Sequence, residues 1–188
     1  ATLDAIAELL AEKPRFDHRT VLHHFGVSTQ AQCRRAAALG CAIQANGYYL
    51  RFFGDQYVAE GLGTERASQM TRVGSARRNG MSVALHSDLP MGPLEPLLAA
   101  SIMATRLSGS GVVFAPEERL SMYDAIAAVT IEAAWQLFLD HEIGSLAAGK
   151  LADVTVLEED PFEVDPAGWP DIDIRATMLS GRVYPLPV

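Results

Sequence analysis

Apolar positions at helical spacing open the chain. Leu3, Ile6, Ala7, Leu9 and Leu10 recur every three to four residues until Pro14 ends the pattern, which predicts an opening helix with no strand before it. After a polar turn over residues 15–18, residues 19–25 are rich in β-formers and bounded by Gly26, and they read as a strand. Ser28 is expected to cap a helix that runs through Ala31, Arg35 and Ala38 to a stop at Gly40. Residues 41–45 form a second short apolar strand. The Gly- and Tyr-rich stretch 46–63 reads as one long connection, followed by helical stretches around Glu65 to Met70 and Ser75 to Arg77.

Residues 81–85 make a third apolar strand, which runs into His86, Ser87 and Asp88 and turns at Leu89-Pro90. Leu94, Leu97, Leu98, Ser101, Ile102 and Thr105 predict a helix closed by the Ser108-Gly109-Ser110-Gly111 turn. Ser121 reads as the cap of one further long helix with Ile126, Val129, Ala133, Ala134, Leu137 and Phe138 on its buried side. The alternation of helix and strand implies parallel strands with helical crossovers, hence an α/β layer or barrel. From residue 152 the pattern changes to strands at 152–157 and 174–179, with a Ser180-Gly181-Arg182 turn into Val183 and Tyr184, a small β appendage. The turn-rich segments at Asp160-Pro161 and 166–171 are expected on the surface.

Composition narrows the function classes. The 188 residues are 49% hydrophobic and 20% charged, as in an ordinary globular protein. A net charge of -8 with no run of Lys or Arg argues against a phosphate-backbone partner, so no nucleic acid is expected. Cys33 and Cys41 fit neither a redox pair nor a zinc ribbon and read as free, buried thiols. With no signal-peptide pattern at Ala1 and no apolar run long enough for a bilayer, the expected compartment is cytoplasmic, with no membrane partner.

The candidate chemistry centres on residues 86–88. His86 and Asp88 are two apart, so on extended chain both project to one face, at the kind of strand end where α/β proteins place their sites. On a strand His23 and His24 point to opposite faces, so only one of them is expected to face a given site. Tyr48, Tyr49, Phe52, Phe53 and Tyr57 form an aromatic cluster in which Phe52 and Phe53 are expected to be core residues.

His86-Ser87-Asp88-Leu89-Pro90, together with Gly144-Ser145 followed by Gly149-Lys150 and Ala152-Asp153, resembles the C-terminal half of metal-dependent hydrolases of the amidohydrolase superfamily, and most of all the branch that includes N-substituted formamide deformylases. That resemblance implies the C-terminal part of a (β/α)8 TIM-type barrel. Residues 1–142 would carry strands six to eight with their helices, and residues 143–188 would form part of a small β-sandwich. A complete barrel needs about 250 residues, and the first-strand His-x-His pair, the fourth-strand bridging residue and the fifth-strand histidine have no counterpart here.

Carried over residue by residue, the resemblance makes His24 a metal ligand and Asp88 both a metal ligand and the catalytic group that exchanges a proton with water. His86 and Tyr48 would contact the substrate. The implied cofactor is a divalent metal, zinc before others, as one or two ions incompletely ligated by this chain. The implied reaction is hydrolysis of an amide-like C–N bond in a small molecule by metal-activated water. Where the family usually has Glu before the histidine, this chain has His23. Two ligands fall short of a catalytic zinc site, so the isolated chain is expected to be inactive. It would be half of a split barrel completed by the missing N-terminal half, a homo-oligomer, or a non-catalytic interaction module that retains the fold. Two open strand edges predict association in each case.

Overall fold

Strand formation begins where β-branched and aromatic residues cluster between breakers, and the resulting sheet is parallel. The computed structural model describes residues 1–185; the last three residues of the predicted β region lie outside them. Helix α1 (Thr2–Glu12) precedes β1 (Val21–His24), α2 (Gln30–Ala38) and β2 (Ala42–Ala45). A π-helical turn (Tyr49–Phe53) leads into α3 (Gly54–Glu60), α4 (Gly63–Ser68) and α5 (Val73–Arg78), and then β3 (Val83–Leu85). Helix α6 (Pro96–Thr105), a 3-10 turn (Pro116–Glu118), α7 (Met122–Ala128) and α8 (Ile131–Gln136) complete the first layer set.

The three strands lie in the order β1-β2-β3, all parallel. Register aligns Leu22 with Ile43 and Ile43 with Val83, and these meet a core that includes Cys33, Ala36, Val73, Ala76, Ala100, Met103, Ala125 and Ala128 from the helices. Small residues on those helices let them approach the sheet closely, and both cysteines are free and buried, as expected. β1 and β3 are the edges of this sheet among the described residues. No helix is long and apolar enough to cross a membrane among the described residues.

The chain then forms an antiparallel sheet of β4 (Val154–Leu157), β5 (Ile174–Leu179) and β6 (Arg182–Pro185), in that order. The Gly-Ser to Ala-Asp pattern has a physical basis at this junction. Gly144 adopts φ +85°, and a Cβ there would come within 2.7 Å of Ala134 Cβ. Lys150 Nζ donates to the Asp140 and Ile143 carbonyls and to Ser145 Oγ, which closes the loop. Asp153 then accepts from the Ser180 N–H at 2.7 Å, tying β4 to the β5–β6 turn.

Several expectations are corrected. Residues 46–63 are mostly helical: Tyr48 stacks on Phe52 and Phe53 lies against Tyr57, contacts at helical spacing. Phe52 is 49% exposed, so it packs over the loop and not in the core. The cap of α2 is Thr29, not Ser28, since Thr29 accepts from Gln32 N and the Gln32 side chain accepts from Thr29 N. The single long helix expected after Ser121 is two, α7 and α8, interrupted at Val129 and Thr130, while the Ser121 cap itself is present. Residues Pro166–Asp171 form a 3-10 turn that buries Trp169 in the core, where its Nε1 donates to the Pro161 carbonyl; that segment is not simply surface.

Arg106 holds the loop regions to this frame. It ends α6 in the left-handed region and is fully buried, and it donates to the carbonyls of Phe114, Thr71, Ser68 and Met70 and to Thr71 Oγ1. Burial pushes its guanidinium down to about 10, with Glu118 and Glu117 acting in the opposite direction.

Candidate metal centre

Because the strands are parallel, their C-terminal residues gather on one side of the sheet. The ladder continues one step past the regular strands there: Asn46 N–H donates to the His24 carbonyl and His86 N–H to the Ala45 carbonyl. His24, Asn46 and His86 are thus held side by side by main-chain bonds. Beyond them the backbone leaves extended geometry, with φ of +65° at His24, +47° at Phe25 and +55° at Asp88. Non-glycine residues in this region carry strain that the surrounding structure must sustain, and such residues concentrate at functional sites.

Register explains the faces. His23 aligns with Gln44 and Gln44 with Ala84, and His86 follows Ala84 by two, so His23 and His86 project from the same face. His24 would face away on a regular strand, but its positive φ turns it back. The structure therefore overturns the expectation that only one of His23 and His24 faces the site. The His24 ring lies 4.9 Å and the His23 ring 5.7 Å from that of His86, centroid to centroid, and the two adjacent rings are 6.2 Å apart.

His24 Nδ1 stands 3.8 Å from Asp88 Oδ2 and 3.3 Å from the Tyr49 hydroxyl. Both side chains of the His24–Asp88 pair are a little under half exposed. A nitrogen and a carboxylate oxygen this far apart can both reach one zinc-sized ion at roughly 2.0–2.2 Å. Among the described residues, two buried polar atoms in this region have no hydrogen-bond partner, His86 Nε2 and Asn46 Nδ2. Buried polar atoms are rarely left unpaired, so both fit a site built to receive a polar ligand. The Asn46 amide is oriented by Tyr48 N–H, which donates to its Oδ1 at 3.0 Å. Among the described residues, no three His, Cys, Asp or Glu side chains converge on one point as they stand.

Burial, with His24 and His23 adding to it, pushes the His86 imidazole below its ordinary value of 6.5. Tyr49 is raised by burial and by the Asp88 and Tyr57 charges. Tyr48 is fully buried, its hydroxyl donates to the Pro93 and Glu95 carbonyls, and burial pushes it up to about 12. Its ring borders a cavity of about 280 Å³ that also touches His86, Leu85, Pro96, Ala99, Val129 and Ala133. Four residues singled out by sequence thus fall in one region. Tyr49 belongs to the aromatic cluster of the sequence, and its spacing from His24 carries no signal without the fold. Asn46 stands at the start of the stretch expected to be a long connection, and its place directly after a buried strand is the signal that could find it.

Comparison with known proteins gives three results. Residues 1–185 match the family described as Amidohydrolase family. Among curated proteins, Protein LONG AFTER FAR-RED 3 of Arabidopsis thaliana is 37% identical over 134 residues, covering 68% of this chain and 22% of its own length. The N-substituted formamide deformylase of Arthrobacter pascens is 26% identical over 160 residues, covering 85% of this chain and 30% of its own. Among solved structures, an uncharacterized metal-dependent hydrolase from Pyrococcus horikoshii OT3 superposes with a TM-score of 0.70 at 20% identity, over 87% of this chain and 33% of that one. The chain therefore spans about a fifth to a third of the length of these three proteins.

Proposed function

The chain belongs to the amidohydrolase family, and on that footing we propose that it is the C-terminal part of a metal-dependent hydrolase that cleaves an amide-like C–N bond. Its solved neighbours imply a TIM-barrel-type fold. Under this reading β1, β2 and β3 are barrel strands six, seven and eight, residues 1–142 are the partial barrel, and residues from 143 onward contribute to a small β-sandwich. The formamide deformylase is a distant relative, so the bond class is carried over and a formamide substrate is not.

The observation that supports the reading most strongly is the facing of His24 Nδ1 and Asp88 Oδ2 at 3.8 Å at the C-terminal strand ends, where barrel enzymes hold their chemistry. His24 and Asp88 would hold a divalent ion, zinc being the expected one. When bound, such an ion supplies Lewis acidity and an activated water at neutral pH. Asp88 takes the proton from the attacking water and returns it to the leaving nitrogen. Its carboxylate is partly exposed and already beside His24, so it can exchange a proton without a large movement. The Tyr49 hydroxyl lies 3.3 Å from His24 Nδ1, the same nitrogen that faces Asp88, so this hydrogen bond orients the ring and would give way when that nitrogen holds an ion. His86 and the Tyr48 ring border the cavity and would orient the substrate's organic part. Asn46 Nδ2, buried without a partner among the described residues, would donate to a polar group of the substrate.

The sheet edges at β1 and β3 leave main-chain groups for further strands, and the reading assigns those positions to the rest of a barrel or to a second copy. The test is hydrolysis of a panel of N-substituted amides by the chain, alone and combined with any polypeptide encoded immediately upstream, in zinc-supplemented buffer. Activity that falls about 100-fold or more in Asp88→Asn supports the reading. Absence of activity in every combination supports a non-catalytic interaction module instead.

A further inference from the structure

Beside the strand-end histidines the fold encloses a cavity of about 280 Å³, and residue size explains why it is there. Leu85 of β3, Ala99 of α6, Val129 after α7 and Ala133 of α8 line it, together with the Tyr48 ring. The two alanines leave space that larger side chains would fill. The Tyr48 wall is fixed before any ligand arrives: its ring stacks on Phe52 at 5.4 Å between centroids, and a Cβ on Gly92 would come within 2.3 Å of it. Its hydroxyl donates to the Pro93 and Glu95 carbonyls, so the loop that completes the wall is pinned to the same side chain. No Lys or Arg lines the cavity among the described residues, and the exposed Glu95 at its edge adds negative charge. His86 borders the cavity with its ring 4.9 Å from that of His24, so the cavity adjoins the candidate metal centre.

We propose that this cavity is a specificity pocket that takes a neutral, apolar substituent of the substrate, about the size of a benzyl or phenethyl group, and rejects a carboxylate there. The proposal rests on the hydrolytic reading above and names the substrate class within it. Volume sets the upper limit. An apolar cavity of about 150 Å³ admits benzene, so 280 Å³ holds a ring together with a few linking atoms. An apolar group gains by leaving water for the Leu, Ala, Val and Tyr walls, whereas a carboxylate would lose its hydration and meet no cation. His86 and Ser87, directly after β3, contribute the polar part of the lining, and the substrate's amide would lie on their side, toward His24. Because Tyr48 and its loop are already in place, binding requires little ordering of the protein.

The test is calorimetric titration of the whole chain, alone and combined with any polypeptide encoded immediately upstream. The probes are N-propylacetamide, N-benzylacetamide, N-phenethylacetamide, and the benzyl compound carrying a para carboxylate or a para aminomethyl group. Ala133→Phe fills the cavity, and Leu94→Lys places a cation at its rim, where Leu94 is 70% exposed. Circular dichroism checks both folds; should Ala133→Phe not fold, Leu94→Lys decides. The proposal expects one N-benzylacetamide per chain, a gain of about fourfold from the benzyl to the phenethyl compound, and binding of the carboxylate about 100-fold or more weaker. Ala133→Phe should lose N-benzylacetamide, and Leu94→Lys should narrow the gap to the carboxylate about threefold or more. No binding, affinity indifferent to the substituent, equal or tighter binding of either charged compound, wild-type affinity in folded Ala133→Phe, or an unchanged gap in Leu94→Lys overturns the proposal. Binding by the chain alone that disappears in the combination also overturns it, since a neighbouring segment then fills the cavity. Binding of these probes needs neither metal nor turnover. A chain that binds them as expected and hydrolyses no amide refutes the hydrolytic reading and leaves the pocket, whereas hydrolysis blind to the substituent refutes the pocket and leaves the reading.

Discussion

His24 and Asp88 face each other at 3.8 Å although they leave the two opposite edges of a three-stranded sheet. Both residues adopt positive φ where the chain leaves the sheet, which turns their side chains toward each other over the C-terminal end of β2. The site is therefore a product of backbone geometry, and its integrity depends on the segments that hold that geometry.

Arg106 is the strongest of those supports. Replacing it with Met leaves the Ser68, Met70 and Phe114 carbonyls and the Thr71 hydroxyl without their donor, while the Thr71 carbonyl keeps the Val73 N–H, and the expected loss is about 3–5 kcal/mol. Urea denaturation monitored by circular dichroism measures it. Arg106→Lys should recover little, because one ammonium cannot reach acceptors spread over Ser68, Met70, Thr71 and Phe114.

Gly144 is constrained twice, by its φ of +85° and by the approach of Ala134 Cβ and Ile131 Cα to 2.7 and 3.0 Å from the added atom. Gly144→Ala should cost about 1–3 kcal/mol. Gly149→Ala meets no atom within 4 Å and is strained only by its φ of +93°, so it should cost less. Thermal melts of the two variants give the comparison.

The Tyr48 hydroxyl bridges the Pro93 and Glu95 carbonyls in the loop that follows Asp88. Tyr48→Phe should destabilise by about 1–3 kcal/mol through the Pro93 carbonyl left without its donor, the Glu95 carbonyl keeping the Ala99 N–H. If the ring orients substrate as proposed, the variant retains substrate affinity once folded, because the ring remains; Tyr48→Ala should lose it.

Arg19 lies between the Trp135 and Phe138 rings, 4.5 and 4.4 Å from their centroids, and donates to Asp17 and Asp140. The hydrogen bond from Arg19 holds the Asp140 carboxyl below its ordinary 3.8. A carboxylate with a lowered folded-state pKa contributes stability that is complete above the unfolded value and is lost as pH falls through the folded value. Asp140→Asn should therefore lower stability at neutral pH and flatten the acid limb below 3.8, as measured by denaturation midpoints across that range.

Much of the frame was legible from sequence because it follows from burial. The three strands, the parallel order implied by their helical crossovers, and the β appendage all appear as apolar runs between Gly and Pro breakers. The helix through residues 49–60 was concealed by Gly47, Gly54, Gly61 and Gly63. Gly54 is required because Phe114 would meet its Cβ at 2.7 Å, a packing reason no local pattern displays. His24, His86 and Asp88 were visible as strand-end residues, but alternation alone separates His23 from His24. Only the positive φ at His24 brings both imidazoles toward His86, and a non-glycine φ of that sign has no sequence signature.

The most direct test of a metal-dependent hydrolase built on His24 and Asp88 is metal content. The chain is purified alone and with any upstream-encoded polypeptide, then analysed by inductively coupled plasma mass spectrometry as wild type, His24→Ala and Asp88→Ala. The account predicts stoichiometric divalent metal, zinc foremost, in the wild type combined with the polypeptide that completes the barrel, and its loss in both variants. Equal metal in all three, or none in any preparation, would contradict it.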